Sequence, residues 1–275
     1  MRTGRARHAR LTTAALAVGT LLVGCGLDGP GPLDSRTTAV SPEPTLDTSD
    51  LVLPSDGGPP EMAAVLTPSV ADATGGIPVS AAGVGVAGEG DVVVDLYFDF
   101  ICPYCGLLDQ VNAADLEALV AEGGVTVVYH PVALLDHYSE GTAYSTRAVN
   151  AVAVVAEMEP EYVPAFINLL LAEGIQPPEG TPGLSDPQIA QIAQIVGVSS
   201  AVTDEFTSTV DFQGTRLRVF VPWTVAATAL LPVDPDSGSW GTPTLLVNGE
   251  QFGGTPDQDW KQPGSLRAAV EAARG

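Results

Sequence analysis

Cys102 and Cys105, separated by Pro103-Tyr104, are the residues with the clearest capacity for chemistry in this chain of 275 residues. Two thiols at this spacing can interconvert between dithiol and disulfide, provided one is a stable thiolate and the other lies close behind it. If the pair opens a helix, unpaired N–H groups and the positive end of the dipole favour an anion at Cys102, and its pKa is depressed. Cys105 then sits one turn deeper on the same face, placed to attack a mixed disulfide formed at Cys102. Pro103 suits a first helical position, having no N–H to leave unpaired and a φ already helical. Two other readings of the pair are weaker. A zinc half-site needs further ligands, and neither a second cysteine pair nor a nearby histidine pair accompanies it. A static disulfide here closes a very small ring and stabilises little.

The surrounding pattern supplies the elements such a pair needs. Val92 to Phe98 is a nearly continuous run of β-branched and aromatic residues, which predicts a buried strand feeding the cysteines. Beyond them Leu107, Val111, Ala114 and Ala118 recur at helical spacing until Gly123-Gly124, and Val125 to Tyr129 predicts a second buried strand. Strand, helix, strand in this order implies a parallel crossover. Ile77 to Ser80 reads as an edge strand, because Pro78 disfavours a central one, and Gly83 to Gly90 as a turn. Helical segments are predicted over Ala143–Met158, Glu161–Glu173, Ser185–Gly197, Ser200–Phe212 and Leu217–Leu230. The Ser185 segment is the clearest, with a capping box at Ser185 and Gln188 and a stop at Gly197. Thr244 to Val247 and Glu250 to Phe252 read as a hairpin turning on Asn248-Gly249, and Leu266 to Ala273 as a closing helix.

Composition narrows the functional class. Apolar content is 45%, charged content only 16%, and the net charge is −22. Arg2, Arg5, Arg7 and Arg10 fall in a leader with no acids, so the remainder is more acidic still. Such a surface repels phosphate backbones and anionic headgroups, which argues against nucleic-acid partners and against a basic membrane patch. The leader itself predicts an anchor. Leu11 to Val23 is too short to span a bilayer and has the length of a secretory h-region. It ends in Leu22-Val23-Gly24-Cys25, which resembles a bacterial lipobox, with residues 1–24 removed and Cys25 diacylated by palmitate-type chains. An ordinary secretory signal with an incidental cysteine is the other reading. Residues 25–73, rich in proline, glycine and polar residues, read as a disordered tether.

The segment Phe98-Asp99-Phe100-Ile101-Cys102-Pro103-Tyr104-Cys105 and the downstream Gly241-Thr242-Pro243-Thr244-Leu245-Leu246-Val247-Asn248-Gly249 together resemble the DsbA-type disulfide oxidoreductases of the thioredoxin-like superfamily. The resemblance covers residues 74–275. It implies an α/β thioredoxin-like fold with a helical insertion, at about 134–231, between the βαβ and ββα halves. It also implies a cis Pro243 packed against the cysteine pair, with Thr242 offering backbone groups to an extended substrate. Pro103 and Tyr104 would tune the couple, and the same dipeptide occurs in glutaredoxins, which lack such an insertion. The implied function is an anchored, extracytoplasmic oxidase of exported cysteine-containing proteins. It would need no cofactor beyond the Cys102–Cys105 disulfide and no metal, and a membrane reoxidant of the DsbB or vitamin K epoxide reductase type would renew it. A reductase, as in cytochrome c maturation, an isomerase, or a binding module with a vestigial pair are the alternatives. The family usually carries a buried acid six positions before the first cysteine, where this chain has Leu96. Asp99 is the candidate to relay protons instead, with a solvated or structural carboxylate as its other reading. His130 reads as structural, and Trp240 either lines a substrate surface or caps the core.

Overall fold

The computed structural model of the chain describes residues 46–53, 58–233, 238–253, 255 and 258–275. The leader, Cys25 and the first part of the tether lie outside the described residues. Among the described residues no helix is long and apolar enough to cross a membrane.

Strand β3 (Val92–Phe98) is the axis of the fold. It pairs parallel with β4 (Val125–Pro131), in register from Val92↔Val125 to Phe98↔Pro131, and antiparallel with β7 (Thr244–Val247). With β1 (Ile77–Ser80), β2 (Gly83–Val84) and β8 (Glu250–Gln251) these form one sheet in the order β2-β1-β4-β3-β7-β8. Strand alternation sends Val92, Val94, Leu96 and Phe98 into the main apolar core. The opposite face carries Asp95 and Tyr97. Helix α1 (Pro103–Glu122) connects β3 to β4, and Gly123 and Gly124, at φ 81° and 75°, make the turn between them.

Between β4 and β7 lies the insertion. Helix α2 (Tyr144–Met158) is its spine, buried on all sides from Tyr144 to Ala156. Around it stand α3 (Val163–Leu171), α4 (Asp186–Val196), α5 (Ser200–Thr203) and α6 (Val221–Ala229). Gln188 reaches back to the Ser185 N–H at 2.8 Å, closing the start of α4. Helix α7 (Ser265–Ala273) ends the chain. This is the α/β thioredoxin-like arrangement, βαβ and ββα halves separated by a mainly helical block.

Four local expectations are corrected. Strand β1 is not an edge, since β2 pairs on its outer side at Val79↔Val84 and part of the Gly83–Gly90 turn is therefore strand. Pro78 is tolerated because β2 ends at Val84: its carbonyl accepts from Gly85 N at 2.7 Å, and its missing donor points to that same outer side. The buried stripe of α1 is Cys105, Leu108, Asn112, Leu116 and Leu119, while Leu107 and Ala114 face out. Asn112 disguised that stripe, being polar in sequence but buried with its Nδ2 donating to Leu108 O at 2.9 Å and Trp260 O at 3.0 Å. The predicted helices over 200–212 and 217–230 are interrupted by a hairpin, β5 (Thr209–Phe212) and β6 (Thr215–Arg218). Gln213 and Gly214 at φ 53° and 83° build a turn that no helix accommodates.

The fourth correction concerns the tether. One compact unit runs from Thr45 to Gly275, so the described part of 25–73 belongs to the domain. Leu51 is buried with Leu217 and Val221. Asp50 O accepts from Arg218 N at 2.9 Å, and Asp50 Oδ2 lies 3.1 Å from Arg218 Nε. Further on, Ser69 N donates to Glu157 at 2.7 Å, and Met62, Val65 and Val70 pack on the main core. Single apolar residues spaced among prolines carry no period, yet Leu51, Met62, Val65 and Val70 pack into the domain.

Candidate active site

The sheet register brings the two sequence motifs together. Because β7 runs antiparallel to β3, with Tyr97↔Thr244 as the last pair, the start of β7 lies beside the end of β3. The loop after β3 carries the cysteines and the loop before β7 carries Thr242 and Pro243. The Thr242–Pro243 peptide is cis. Cys102 Sγ lies 3.3 Å from Thr242 O, and as a thiol it donates to that carbonyl.

Cys102 is the N-cap of α1 and Pro103 its first residue. A hydrogen bond from the Cys105 side chain, opposed by burial and reinforced by Thr242 and by the N–H groups of Cys105 and Tyr104, holds the Cys102 thiol down at about 6. Cys105 is fully buried, and burial pushes its thiol well above the ordinary range, with the neighbouring Cys102 thiol adding to the shift. One sulfur is therefore a ready nucleophile and leaving group at neutral pH, and the other holds its proton.

Asp99 touches Cys105 through its backbone, its N–H donating to Cys105 Sγ at 3.4 Å. Its carboxylate is engaged elsewhere: Oδ1 accepts from Ile101 N at 3.0 Å and Ser145 Oγ at 2.6 Å, and Oδ2 from Leu135 N at 2.8 Å. Burial pushes this carboxyl up to about 7 against the pull of those donors. The geometry makes Asp99 an anchor that ties the cysteine loop to the insertion. Leu96 is buried in the core. His130, also buried, meets Asp95 at 3.0 Å and stacks on Tyr97 with ring centroids 4.0 Å apart, away from the cysteines on the other sheet face. Trp240 does not cap the core. It is 60% exposed and, with Thr242, Pro243 and Gln251, lines a cleft of about 240 Å³ beside the cis peptide.

Gln176, in the loop after α3, escaped the sequence reading. Its Nε2 donates to Phe100 O at 3.2 Å and to Cys102 O at 2.8 Å, fixing the peptide that carries the outer thiol. Gly106 permits the approach, since a Cβ there would lie 2.2 Å from Gln176 Oε1. A lone glutamine in an aperiodic loop gives no signal. The chain's one lysine, Lys261, sits over the exposed Tyr104 ring at 5.5 Å and over Trp260 at 5.4 Å.

Comparison with known proteins agrees with this fold. The DSBA-like thioredoxin domain family matches residues 93–216, from β3 through α1 and the insertion into β6. The chain carries a DSBA-like thioredoxin domain. Oxidised DsbA of Mycobacterium tuberculosis superposes on the DsbA-like chain with a TM-score of 0.57 and 26% identity, covering 73% of this chain and 93% of that one. MdbA, a thiol-disulfide oxidoreductase of Corynebacterium diphtheriae, shares the fold at 20% identity and a TM-score of 0.53, over 82% and 98% of the two chains. The chain is thus a homologue of the DsbA-like thiol-disulfide oxidoreductases. A serine/threonine-protein kinase of Mycobacterium tuberculosis, PknE, is 35% identical over 106 residues, a stretch that spans 38% of the DsbA-like chain and 19% of the kinase.

Proposed function

We propose that the protein is a membrane-anchored, extracytoplasmic disulfide oxidase whose working pair is Cys102 and Cys105. The observation that carries this reading is the asymmetry of the two sulfurs: an acidified Cys102 at the helix N-terminus, 3.3 Å from Thr242 O, and a buried, proton-holding Cys105 behind it. A stabilised Cys102 thiolate lowers the free energy of the reduced state and leaves the disulfide unchanged, so the couple becomes more oxidising. That physical bias favours oxidation over reduction as the working direction.

A substrate thiolate attacks Cys102 Sγ, the Cys102–Cys105 bond breaks, and Cys105 leaves with the electron pair. The substrate's second thiolate then attacks the mixed disulfide at its own sulfur and expels the Cys102 thiolate. The substrate dithiol has lost two electrons and the protein pair has gained them. The cleft beside Thr242 and Pro243 suits an extended substrate segment pairing with backbone in strand fashion. Exported proteins with free cysteines are the proposed substrates. A quinone-linked membrane protein of the DsbB or vitamin K epoxide reductase type is the proposed reoxidant, and a lipidated Cys25 the proposed anchor.

Acid-quenched thiol trapping in intact cells, followed by titration of the purified protein's potential, tests the direction. An oxidised pair with a potential well above about −270 mV, the thioredoxin value, is the expected result. A largely reduced pair would overturn it and assign a reductase. Cys102→Ser should abolish all exchange.

A further inference from the structure

The resolving sulfur has a proton-transfer problem that Asp99 and Leu96 do not solve. Cys105 is fully buried, and its thiolate is disfavoured. Yet every exchange cycle must deliver a proton to this sulfur when the disulfide opens and remove it when the disulfide closes. Asp99 presents only its N–H to Cys105, and its carboxylate oxygens are taken by Ile101, Leu135 and Ser145. Leu96 has nothing to give.

A second carboxyl residue lines a space shared with Cys105. A small, partly open pocket of about 20 Å³ is walled by Cys105 and Asp109 on α1, Leu96 on β3, Tyr129 on β4, and Ile167 and Leu171 on α3. Cys105 and Asp109 are four residues apart on α1, hence on one face with Cβ atoms about 5–6 Å apart. A space of this size accommodates one water given polar partners, and Cys105, Asp109 and Tyr129 are the lining residues that carry polar atoms, the rest of the wall being apolar. Asp109 is only partly buried, so its outer side can exchange protons with solvent.

We propose that Asp109 is the proton relay of Cys105, acting through a water in this pocket and taking over a task for which β3 offers only Leu96. The proposal rests on the oxidoreductase reading above and adds the residue that moves the proton. When a substrate thiolate attacks Cys102 and Cys105 departs as thiolate, the protonated Asp109 gives its proton to that sulfur through the water. The carboxylate then regains a proton from solvent. When the disulfide is re-formed, Cys105 attacks the Cys102 sulfur of a mixed disulfide with the reoxidant, the reoxidant's thiolate leaves with the electron pair, and the Cys105 proton passes through the water to the ionised form of Asp109. The charge environment suits this traffic. Burial, with Glu117 one helical stretch away, pushes the Asp109 carboxyl up to about 7. Glu117 is itself bonded to Asn168 on α3 at 2.8 Å. From β4 the buried Tyr129 faces the site in its neutral form, its phenol pushed upward by burial and by Asp109. The pocket-lining residues of β3 and α3 are apolar.

The test is single-turnover oxidation of a dithiol peptide by the full oxidised chain, from pH 5 to pH 9, for wild type, Asp109→Asn and Asp109→Glu. Wild type should show an inflection near pH 7. Asp109→Asn should be slower by about 100-fold, the low end of general acid–base catalysis, and should lose that inflection, while Asp109→Glu keeps it. Thiolate absorbance should still place the Cys102 titration near 6 in all three. An unchanged pH profile in Asp109→Asn overturns the relay, as does uniform slowing with the inflection intact, which marks a purely structural role. If Asp109→Asn does not fold, Asp109→Glu decides, and a profile without inflection overturns the proposal. A wild type that oxidises no more peptide than Cys102→Ser refutes the enzymatic reading itself, which is a separate outcome.

Discussion

At the scale of single residues, acidity divides the labour between two sulfurs and two carboxyls. The Cys102 thiol lies below its ordinary range, and Cys105, Asp99 and Asp109 lie above theirs, chiefly through burial. Asp99 has the firmest structural task. Replacing it with alanine leaves the Ile101 and Leu135 N–H groups and the Ser145 hydroxyl without their acceptor. At about 1–3 kcal/mol for each buried group left unpaired, Asp99→Ala should lose roughly 3 kcal/mol or more in urea unfolding. The pH dependence has a definite sign. The folded carboxyl titrates near 7 and the unfolded one near 3.8, so the unfolded chain binds fewer protons between those values. The stability linked to Asp99 is then complete below about pH 4 and is lost as pH rises through about 7. Cys102 works oppositely in the reduced protein, adding stability as pH rises from about 6 toward 9. Melting temperatures of oxidised and reduced protein across this range check both signs.

At the scale of elements, α1 is the part whose placement matters most. Its N-terminus holds Cys102, its first turn meets the end of α3 through Gly106, and its inner stripe closes the core. Alanine is the better helix former than glycine by about 1 kcal/mol, so Gly106→Ala looks favourable from propensity alone. The added Cβ would lie 2.2 Å from Gln176 Oε1 and 3.1 Å from Leu171 O. The glutamine can swing away, but only by releasing Cys102 O, and the Leu171 carbonyl is backbone. Gly106→Ala should therefore lower the denaturation midpoint and slow exchange at Cys102. A raised midpoint with unchanged exchange would show that the Gln176 contact does not matter.

At the scale of the molecule, the charge network at Asp50, Arg218, Asp186 and Arg147 binds the N-terminal segment to the insertion. Arg218 is buried, 3.1 Å from Asp50 and 2.9 Å from Asp186, and Arg147 lies 3.1 Å from Asp186. Removing one partner from such a buried network costs about 3–5 kcal/mol, and Arg218→Ala should fall at the lower end because both acids keep some exposure. Deletion of residues 1–44 should leave the melting temperature and peptide oxidation intact, since the compact unit begins at Thr45. Deletion of residues 1–73 should destabilise as Arg218→Ala does, because Leu51 and Asp50 leave with it. Equal stability of the two truncations would show that the segment 46–73 does not support the domain.

The chemistry-bearing pattern was legible because it is local. Two cysteines bracketing Pro103-Tyr104, a β-branched run ahead of them and glycines behind determine strand, N-cap and helix through propensity and spacing. The Asn248-Gly249 turn and the Ser185 capping box were readable for the same reason. What needed the tertiary structure is everything set by neighbours distant in sequence. The inner face of α1 was hidden by Asn112, whose amide nitrogen donates to the carbonyls of Leu108 and Trp260. The hairpin at 209–218 follows from a two-residue turn and from Arg218 finding Asp50 and Asp186. The packing of Leu51, Met62, Val65 and Val70 follows from isolated side chains meeting surfaces that exist only once the insertion helices are in place. The pair of sulfurs belongs to the sequence. The carbonyl that faces them, the glutamine that holds them and the carboxyl proposed to serve them were decided by the register of β3, β4 and β7 and the packing of α3 on α1.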